Sequence, residues 1–449
     1  MSLNYLAERF TCAWPWSTAV LLCDGRISCG CSDPYGKRIL GDARKDSLTG
    51  VWRGPIASEV REDVNTGGSP FCGDCPLKEP LADDQPAPVR DLNVGPLPSR
   101  LYVECTAACN ISCFQACCAP ETGITRTRQA GMLDFDLFTR VIDEAGPSLV
   151  RVDFFNYGEA FLHKRAVEMC EYIKTKFPHI YLYTSTNGGA LTDERARRLV
   201  HSGIDEVTFS IDGASQAAYE KYRQRGKFDL VTANLRSMAD EKAKAGRDVP
   251  QINWRYILFK WNDSDEEMDQ ARRLAREFGA DRLTWEITDH PEDSFSRRFV
   301  PGSPDFERIK YEVWDHSGLG NAIPGATPRA GIEVYGQQLS GAAGETLTVH
   351  TRVANHSGRP FRKVASYGRR LVRLGAQLCR EDGTMINRDH ARAWLPGDIP
   401  GGAAADVPID VPLPAEPGRY TLKFDLVSEG IDWFEKAGSP VTTRPLDVR

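Results

Sequence analysis

An α/β core set between a small cysteine-rich segment and an all-β tail is the fold class this sequence predicts, on three observations. Between about residues 96 and 300, short apolar runs alternate with stretches of helical period, which implies parallel strands joined by helices. Beyond about residue 330 the pattern becomes two-residue alternation broken by Gly and Pro turns, the mark of an antiparallel β-sandwich. Five of the thirteen cysteines fall between Cys105 and Cys118, directly after the first apolar run of the core. Thiolates packed that tightly are either ligands or disulfide partners.

Composition narrows the choice. The 449 residues leave room for two to four domains. The apolar share of 41% and charged share of 26% are those of an ordinary globular chain. Net charge is −6 and no block of five or more Lys/Arg occurs, which argues against a nucleic-acid partner held through phosphates. The start, MSLNYLAERFTCAWPW, lacks a basic region followed by a long apolar run, so no signal peptide is expected. No apolar stretch approaches the roughly 18 residues of a membrane span. Clustered cysteines without a secretory signal point to a reducing cytoplasm and metal binding rather than a disulfide frame.

The segment 1–95 is rich in turns and carries Cys12, Cys23, Cys29, Cys31, Cys72 and Cys75. Asp24-Gly25 reads as a hairpin turn between the apolar run 19–22 and Ile27. The tight loop FCGDCPL offers Cys72 and Cys75 to one metal, and a second pair from the hairpin would complete four sulfurs. Cys23 sits in an apolar run and reads as a core thiol. Five prolines mark 79–98 as a linker.

In the core, strands are expected at 101–105, 149–155, 179–185, 206–211, 252–259 and 282–287, and helices at 134–145, 163–176, 191–202, 228–244 and 264–278. Periodicity allows either a barrel or a doubly wound sheet; in both, chemistry gathers past the C-terminal ends of the strands. The informative residues fall there. After the first strand comes Cys109-x3-Cys113-x3-Cys117 with Cys118 beside it, a set of soft donors suited to iron–sulfur or zinc but loose for a zinc knuckle. After the second, Gly158 permits close backbone approach and Glu159 adds a carboxylate. The third ends in Ser185, Thr186 and Asn187, and the fourth in Ser210 and Asp212. Arg223 and Asn262 follow in AYEKYRQRGKFD and YILFKWND.

Taken together these motifs resemble the radical S-adenosylmethionine (SAM) enzymes. Their loop reads C-x3-C-x2-C; three thiolates hold three irons of a 4Fe–4S cluster and the fourth iron takes the amine and carboxylate of SAM. Here position 116 is Ala, so the third ligand is Cys117, which is favoured, or Cys118. The resemblance implies a partial (β/α)6 barrel over 96–300. It implies SAM contacts from Gly158 and Glu159 to the amino group (with Ala160 in place of the usual Pro) and from Ser185, Asn187, Ser210 and Asp212 around the pocket. Arg223 is implied near the SAM carboxylate and Asn262 near the adenine. No catalytic residue for the substrate is singled out.

The N-terminal segment resembles the twitch or SPASM extension of the same enzymes, here ahead of the barrel instead of after it. That implies an auxiliary 4Fe–4S cluster on Cys12, Cys31 (or Cys29), Cys72 and Cys75, with structural zinc on the same sulfurs as the alternative. The cluster would accept an electron, anchor substrate or brace the fold. The family chemistry is reductive cleavage of SAM to a 5′-deoxyadenosyl radical that abstracts hydrogen, with electrons from a donor such as flavodoxin or ferredoxin. Residues 301–330 read as a connection. The immunoglobulin-like sandwich expected over 331–449 resembles one appended to polysaccharide exporters and glycan-modifying enzymes, with Trp433 and Phe434 as either buried plugs or sugar-stacking rings. The function expected is that of a cytoplasmic oxidoreductase-type enzyme that dehydrogenates or epimerises a carbohydrate-related small molecule or glycan precursor. Peptide maturation and a non-catalytic, metal-bearing glycan scaffold are the alternatives.

Overall fold

Side chains of opposite character alternate along the core strands, and that alternation builds the fold. The computed structural model describes residues 7–81, 85–114, 131–288, 291, 293–300, 303–309, 312, 313, 329–357, 360, 361, 363, 372–428 and 432–449. It divides into two units, Met1–Trp314 and Asp315–Arg449.

In the first unit a hairpin and a third strand come first: β1 (Thr18–Leu21), β2 (Arg26–Ser28) and β3 (Ile39–Asp42). Gly25 turns the hairpin at φ +87°, a conformation that favours glycine. Helix α1 (Pro55–Asn65) follows, and then the alternating core: β4 (Arg100–Val103), α2 (Phe135–Ala145), β5 (Arg151–Asp153), α3 (Ala166–Lys176), β6 (Tyr181–Thr186), α4 (Asp193–His201), β7 (Glu206–Ser210), α5 (Phe228–Lys244), β8 (Gln251–Ile257), α6 (Asp265–Glu277) and β9 (Arg282–Glu286). Side chains of Asp134, Thr192 and Ser264 cap α2, α4 and α6 by accepting from backbone N–H groups three residues on. All six expected strands and all five expected helices are present, with ends displaced by a few residues. The start of α3 differs most, because Ala160–Leu162 form a 3-10 turn capped by Glu159 before it.

Strands β4 to β9 lie parallel in chain order. One face carries Leu101, Val103, Val152, Phe154, Leu182, Val207, Phe209, Ile252 and Trp254, packed in one apolar core with Phe138, Ile142, Met169, Leu199, Leu235 and Met268 of the helices. Residues between them point the other way because a strand has a period of two. They include Arg100, Tyr102, Arg151, Asp153, Tyr183, Glu206, Asn253, Arg255 and Arg282. Trp254 is fully buried, and its indole N–H donates to the Ile211 carbonyl at 2.7 Å. Trp254→Ala is expected to cost about 3–5 kcal/mol in urea unfolding of this unit, from lost burial and a residual cavity.

Burial alone would raise the Asp153 carboxyl, but the Arg100 and Arg151 guanidiniums hold it below the usual carboxylate range. Arg100 Nε lies 2.5 Å and Arg151 Nη2 2.7 Å from its oxygens. Paired in this way, the charges can occupy an interior otherwise hostile to them.

The cysteine-rich segment does not stand apart from the barrel strands. β1 pairs in parallel with β4, Thr18 opposite Arg100 through Leu21 opposite Val103, and β2 and β3 continue antiparallel, giving a nine-stranded sheet. The stretch expected as a linker is pinned to this segment. Glu79–Pro80 pairs with Phe10–Thr11, Trp16 Nε1 donates to Asp91 O, and Trp52 Nε1 donates to Gly95 O.

The second unit is built of antiparallel sheets, with one parallel pair between Leu339–Gly341 and Thr442–Val448. Ile332 and Val353 from one sheet share an apolar core with Leu374, Leu422 and Phe424 from another. Val349, Thr351 and Val353 are buried, as the alternation of ETLTVHTRV implies. Trp433 and Phe434 are also buried, at 5% and 4% exposure. Both are core rings rather than sugar-stacking ones. Trp433 instead packs against Gly375, where a Cβ would meet its ring at 2.5 Å, and Phe434 packs edge-on to Phe361.

Candidate iron–sulfur and cofactor centre

The loop after β4 is held by the strand ends around it. Cys113 pairs antiparallel with Arg223 and Ser112 with Gln224, and Phe114 N donates to Tyr222 O at 2.8 Å. These contacts bring two thiols under side chains from two different strand ends. Arg223 Nη1 donates to Cys113 Sγ at 3.3 Å, and Asn187 Nδ2 lies 3.5 Å from Cys109 Sγ. Burial pushes the Cys113 thiol up, and the Arg223 guanidinium opposes that. Residues 115–130 are not described, so Cys117 and Cys118 lie outside the described residues.

Gly158 is required where it stands. Its φ is +79°, and a Cβ there would lie 2.2 Å from Thr106 O and 2.6 Å from Ala108 O. Beside it Glu159 N donates to Ala108 O at 2.8 Å, joining the turn after β5 to the cysteine loop. The Glu159 carboxylate is 2% exposed and accepts from Thr186 Oγ1 at 2.7 Å and Asn187 N at 2.8 Å. Burial raises its carboxyl above the ordinary value despite those bonds.

Ser185 and Ser210 meet hydroxyl to hydroxyl at 3.2 Å, and Arg255 Nη2 donates to Ser210 Oγ at 3.0 Å. Asp212 accepts from Arg223 Nε at 2.5 Å and from Ile257 N at 2.7 Å, so it sets the guanidinium against the cysteine loop. Asn262 is fully buried. Its amide donates to Asp212 O and Ile257 O, and its oxygen accepts from Phe259 N, so it locks the turn after β8. Arg255 did not stand out in the sequence. Its signal was a charge in the strand run QINWRYI, where a parallel strand buried on both faces reads as unbroken apolar residues.

A second candidate centre lies in the N-terminal segment. Cys12, Cys29, Cys72 and Cys75 line one cavity together with Trp14, Pro15, Arg38 and Lys78. Burial pushes the Cys12 thiol up to about 12, and Cys75 and Cys72 add to the effect. Cys29 is raised by burial and then by Cys12, Cys72 and Cys75. Cys31 packs against the core that holds Cys12, Cys72 and Cys75 without lining this cavity, and Arg100, Asp153 and Cys75 act on it. Hairpin geometry explains the difference. Cys29 follows β2 and its N–H donates to Arg38 O at 3.1 Å, whereas Cys31 lies beyond Gly30 on the turn.

The donor set fits a metal cluster. Four mutually repelling sulfur groups in one buried cavity need a cation to be ionised together. The wall also carries a donor waiting for an acceptor, since the Trp14 indole N–H finds no partner among the described residues. No group of three or more His, Cys, Asp or Glu among the described residues is arranged to hold a metal ion. An iron–sulfur cube spreads its four ligands farther apart than one ion does.

Two family models match the stretches that carry these cysteines. Residues 103–276 match the model of the radical SAM superfamily, and residues 12–76 match that of the SPASM iron–sulfur cluster-binding domain. The "tungsten-containing aldehyde ferredoxin oxidoreductase cofactor-modifying protein" of Pyrococcus furiosus is 26% identical over 229 residues, 50% of this chain and 62% of that protein. "Mycofactocin maturase MftC" of Mycobacterium tuberculosis is 30% identical over 183 residues, 41% of this chain and 43% of that protein. The chain thus spans less than two thirds of the length of these relatives. Among solved structures, Streptococcus suis SuiB bound to S-adenosylmethionine overlaps 46% of this chain and 42% of its own, at 15% identity and a TM-score of 0.35. The two matched domains imply a SAM-binding 4Fe–4S cluster, SAM and a second, auxiliary cluster. No helix among the described residues is long and apolar enough to cross a membrane.

Proposed function

We propose that this chain, whose residues 103–276 match the radical SAM superfamily and whose residues 12–76 match the SPASM domain ahead of it, is an oxidoreductase-type enzyme that matures a peptide-derived or cofactor-precursor substrate. When bound, the SAM-binding cluster and SAM supply hydrogen-atom abstraction from an unactivated C–H bond. The observation that carries the reading is the convergence of Cys109 and Cys113 with Asn187 and Arg223 from two other strand ends.

In this reading Cys109 and Cys113, with Cys117 or Cys118, hold the SAM-binding cluster. The N–H donors of Asn187 and Arg223 lower the charge on the two sulfurs. Gly158 keeps the turn after β5 against the cysteine loop, and Glu159 fixes the end of β6 through Thr186 and Asn187. Ser185 and Ser210 present hydroxyls to the ribose. Asp212 orients Arg223 for the SAM carboxylate, and Asn262 holds the turn facing the adenine. Cys12, Cys29, Cys72 and Cys75, which line one cavity, would hold the auxiliary cluster. Cys29 replaces the Cys31 favoured from sequence.

The substrate class draws on the relatives, one named a maturase and the other a cofactor-modifying protein. The carbohydrate reading is placed second because the rings that supported it are buried. A reduced flavodoxin or ferredoxin is the proposed electron source. The test is incubation of the anaerobically reconstituted, reduced chain with SAM. Release of 5′-deoxyadenosine is the expected result; SAM left intact by protein with a full iron complement would refute the proposal.

A further inference from the structure

Helix α1 buries Ala57, Val60, Arg61 and Val64, so an arginine occupies a position in its apolar stripe. Arg61 is 2% exposed. Its Nε donates to Pro15 O at 2.8 Å, and its guanidinium lies 4.4 Å over the Trp52 ring. Its Nη2 has no hydrogen-bond partner among the described residues. Burial works against its charge, and the one group that favours it is Cys29. A guanidinium taken out of water without an anion is costly. Pro15, which takes its Nε–H, lines the four-cysteine cavity, and so does Trp14, whose indole N–H is likewise unmatched.

The two cations that line the cavity have their hydrogen-bonding groups engaged. Arg38 lies 2.9 Å from Asp74 and 3.8 Å from Asp33, and Lys78 donates to Ala7 O and Gly73 O. Glu79 adds negative charge beside Cys12. Among the described residues, Arg61 is a buried guanidinium beside this cavity whose Nη2 meets neither a carboxylate nor a carbonyl. Four thiolates around a 4Fe–4S core carry more negative charge than the core offsets, and reduction adds one more. A fixed cation and N–H donors toward the sulfurs favour the reduced form.

We infer that Arg61 is the buried counter-cation of the auxiliary cluster and, with the Trp14 indole N–H, raises its reduction potential. The inference rests on the reading of Cys12, Cys29, Cys72 and Cys75 as the ligands. It concerns a positioning and tuning residue, and its readout is a potential rather than turnover.

The experiment uses the full chain carrying Cys109→Ala and Cys113→Ala, so that only the auxiliary cluster assembles. Iron content and an EPR-monitored potentiometric titration are compared among this parent, Arg61→Met and Arg61→Lys. The expected result is about four irons per chain in all three, a lower midpoint in Arg61→Met and a midpoint near the parent's in Arg61→Lys. Loss of iron from Arg61→Met alone also supports the inference, because the cluster then depends on the charge. A midpoint lowered equally in both variants overturns it, because Arg61→Lys keeps the charge. An unchanged or higher midpoint in Arg61→Met overturns it, as does equal loss of iron from both variants, which makes Arg61 a packing residue. A parent without iron refutes the ligand reading itself, a separate outcome.

Discussion

Cys113→Ala is expected to abolish 5′-deoxyadenosine release and to lower reconstituted iron from about eight to about four per chain. Cys113 sits where three constraints meet. Its backbone pairs with Arg223, its sulfur accepts from Arg223 Nη1 at 3.3 Å, and Asp212 holds that guanidinium at 2.5 Å. Removing the sulfur leaves Arg223 paired with Asp212, so the loss falls on the cluster more than on the fold. The four remaining irons belong to the N-terminal centre, whose cysteines lie on other elements. Colorimetric iron and sulfide determination alongside chromatography of the SAM products checks both halves. Activity retained at the parental level, or loss of all iron, would contradict the division of the sulfurs into two centres.

Gly158→Ala is expected to be nearly as damaging without touching a ligand. The new methyl would lie 2.2 Å from Thr106 O, 2.6 Å from Ala108 O and 2.8 Å from Ala107 C, all backbone atoms of the cysteine loop. The φ of +79° adds strain of about 1–3 kcal/mol for a residue with a side chain. To relieve the overlap the loop must move away from the turn after β5, breaking the Glu159 N to Ala108 O bond. SAM binding measured by equilibrium dialysis should fall at least about tenfold, since each 1.4 kcal/mol is a factor of ten. Iron at the N-terminal centre should stay unchanged. SAM affinity equal to the parent's would show that the loop does not need this approach.

Much of the candidate site was legible because its residues keep fixed places in the strand–helix alternation. Asn187, Asp212 and Arg223 follow strands that the apolar runs at 179–185 and 206–211 announce. What could not be read is which hydrogen-bonding capacity each residue has left. Asn262 and Glu159 look like ligand-binding groups in the sequence, yet in the fold their polar atoms are largely engaged by backbone and neighbouring side chains. Arg61 was passed over because a charged residue on a short helix is normally solvated.

The chain's own pattern was enough to determine the order of elements, the placing of the cysteine loop after β4 and the all-β character of the tail, since these depend on periodicities of two and 3.6 within short windows. Only the tertiary structure decided that β1 adds in parallel to β4, that Cys29 lines one cavity with Cys12, Cys72 and Cys75, and that Trp433 is interior. Each of those outcomes depends on contacts between residues distant in sequence, or on which way a two-residue step in a turn points. Packing sets those directions, and local pattern carries no record of them.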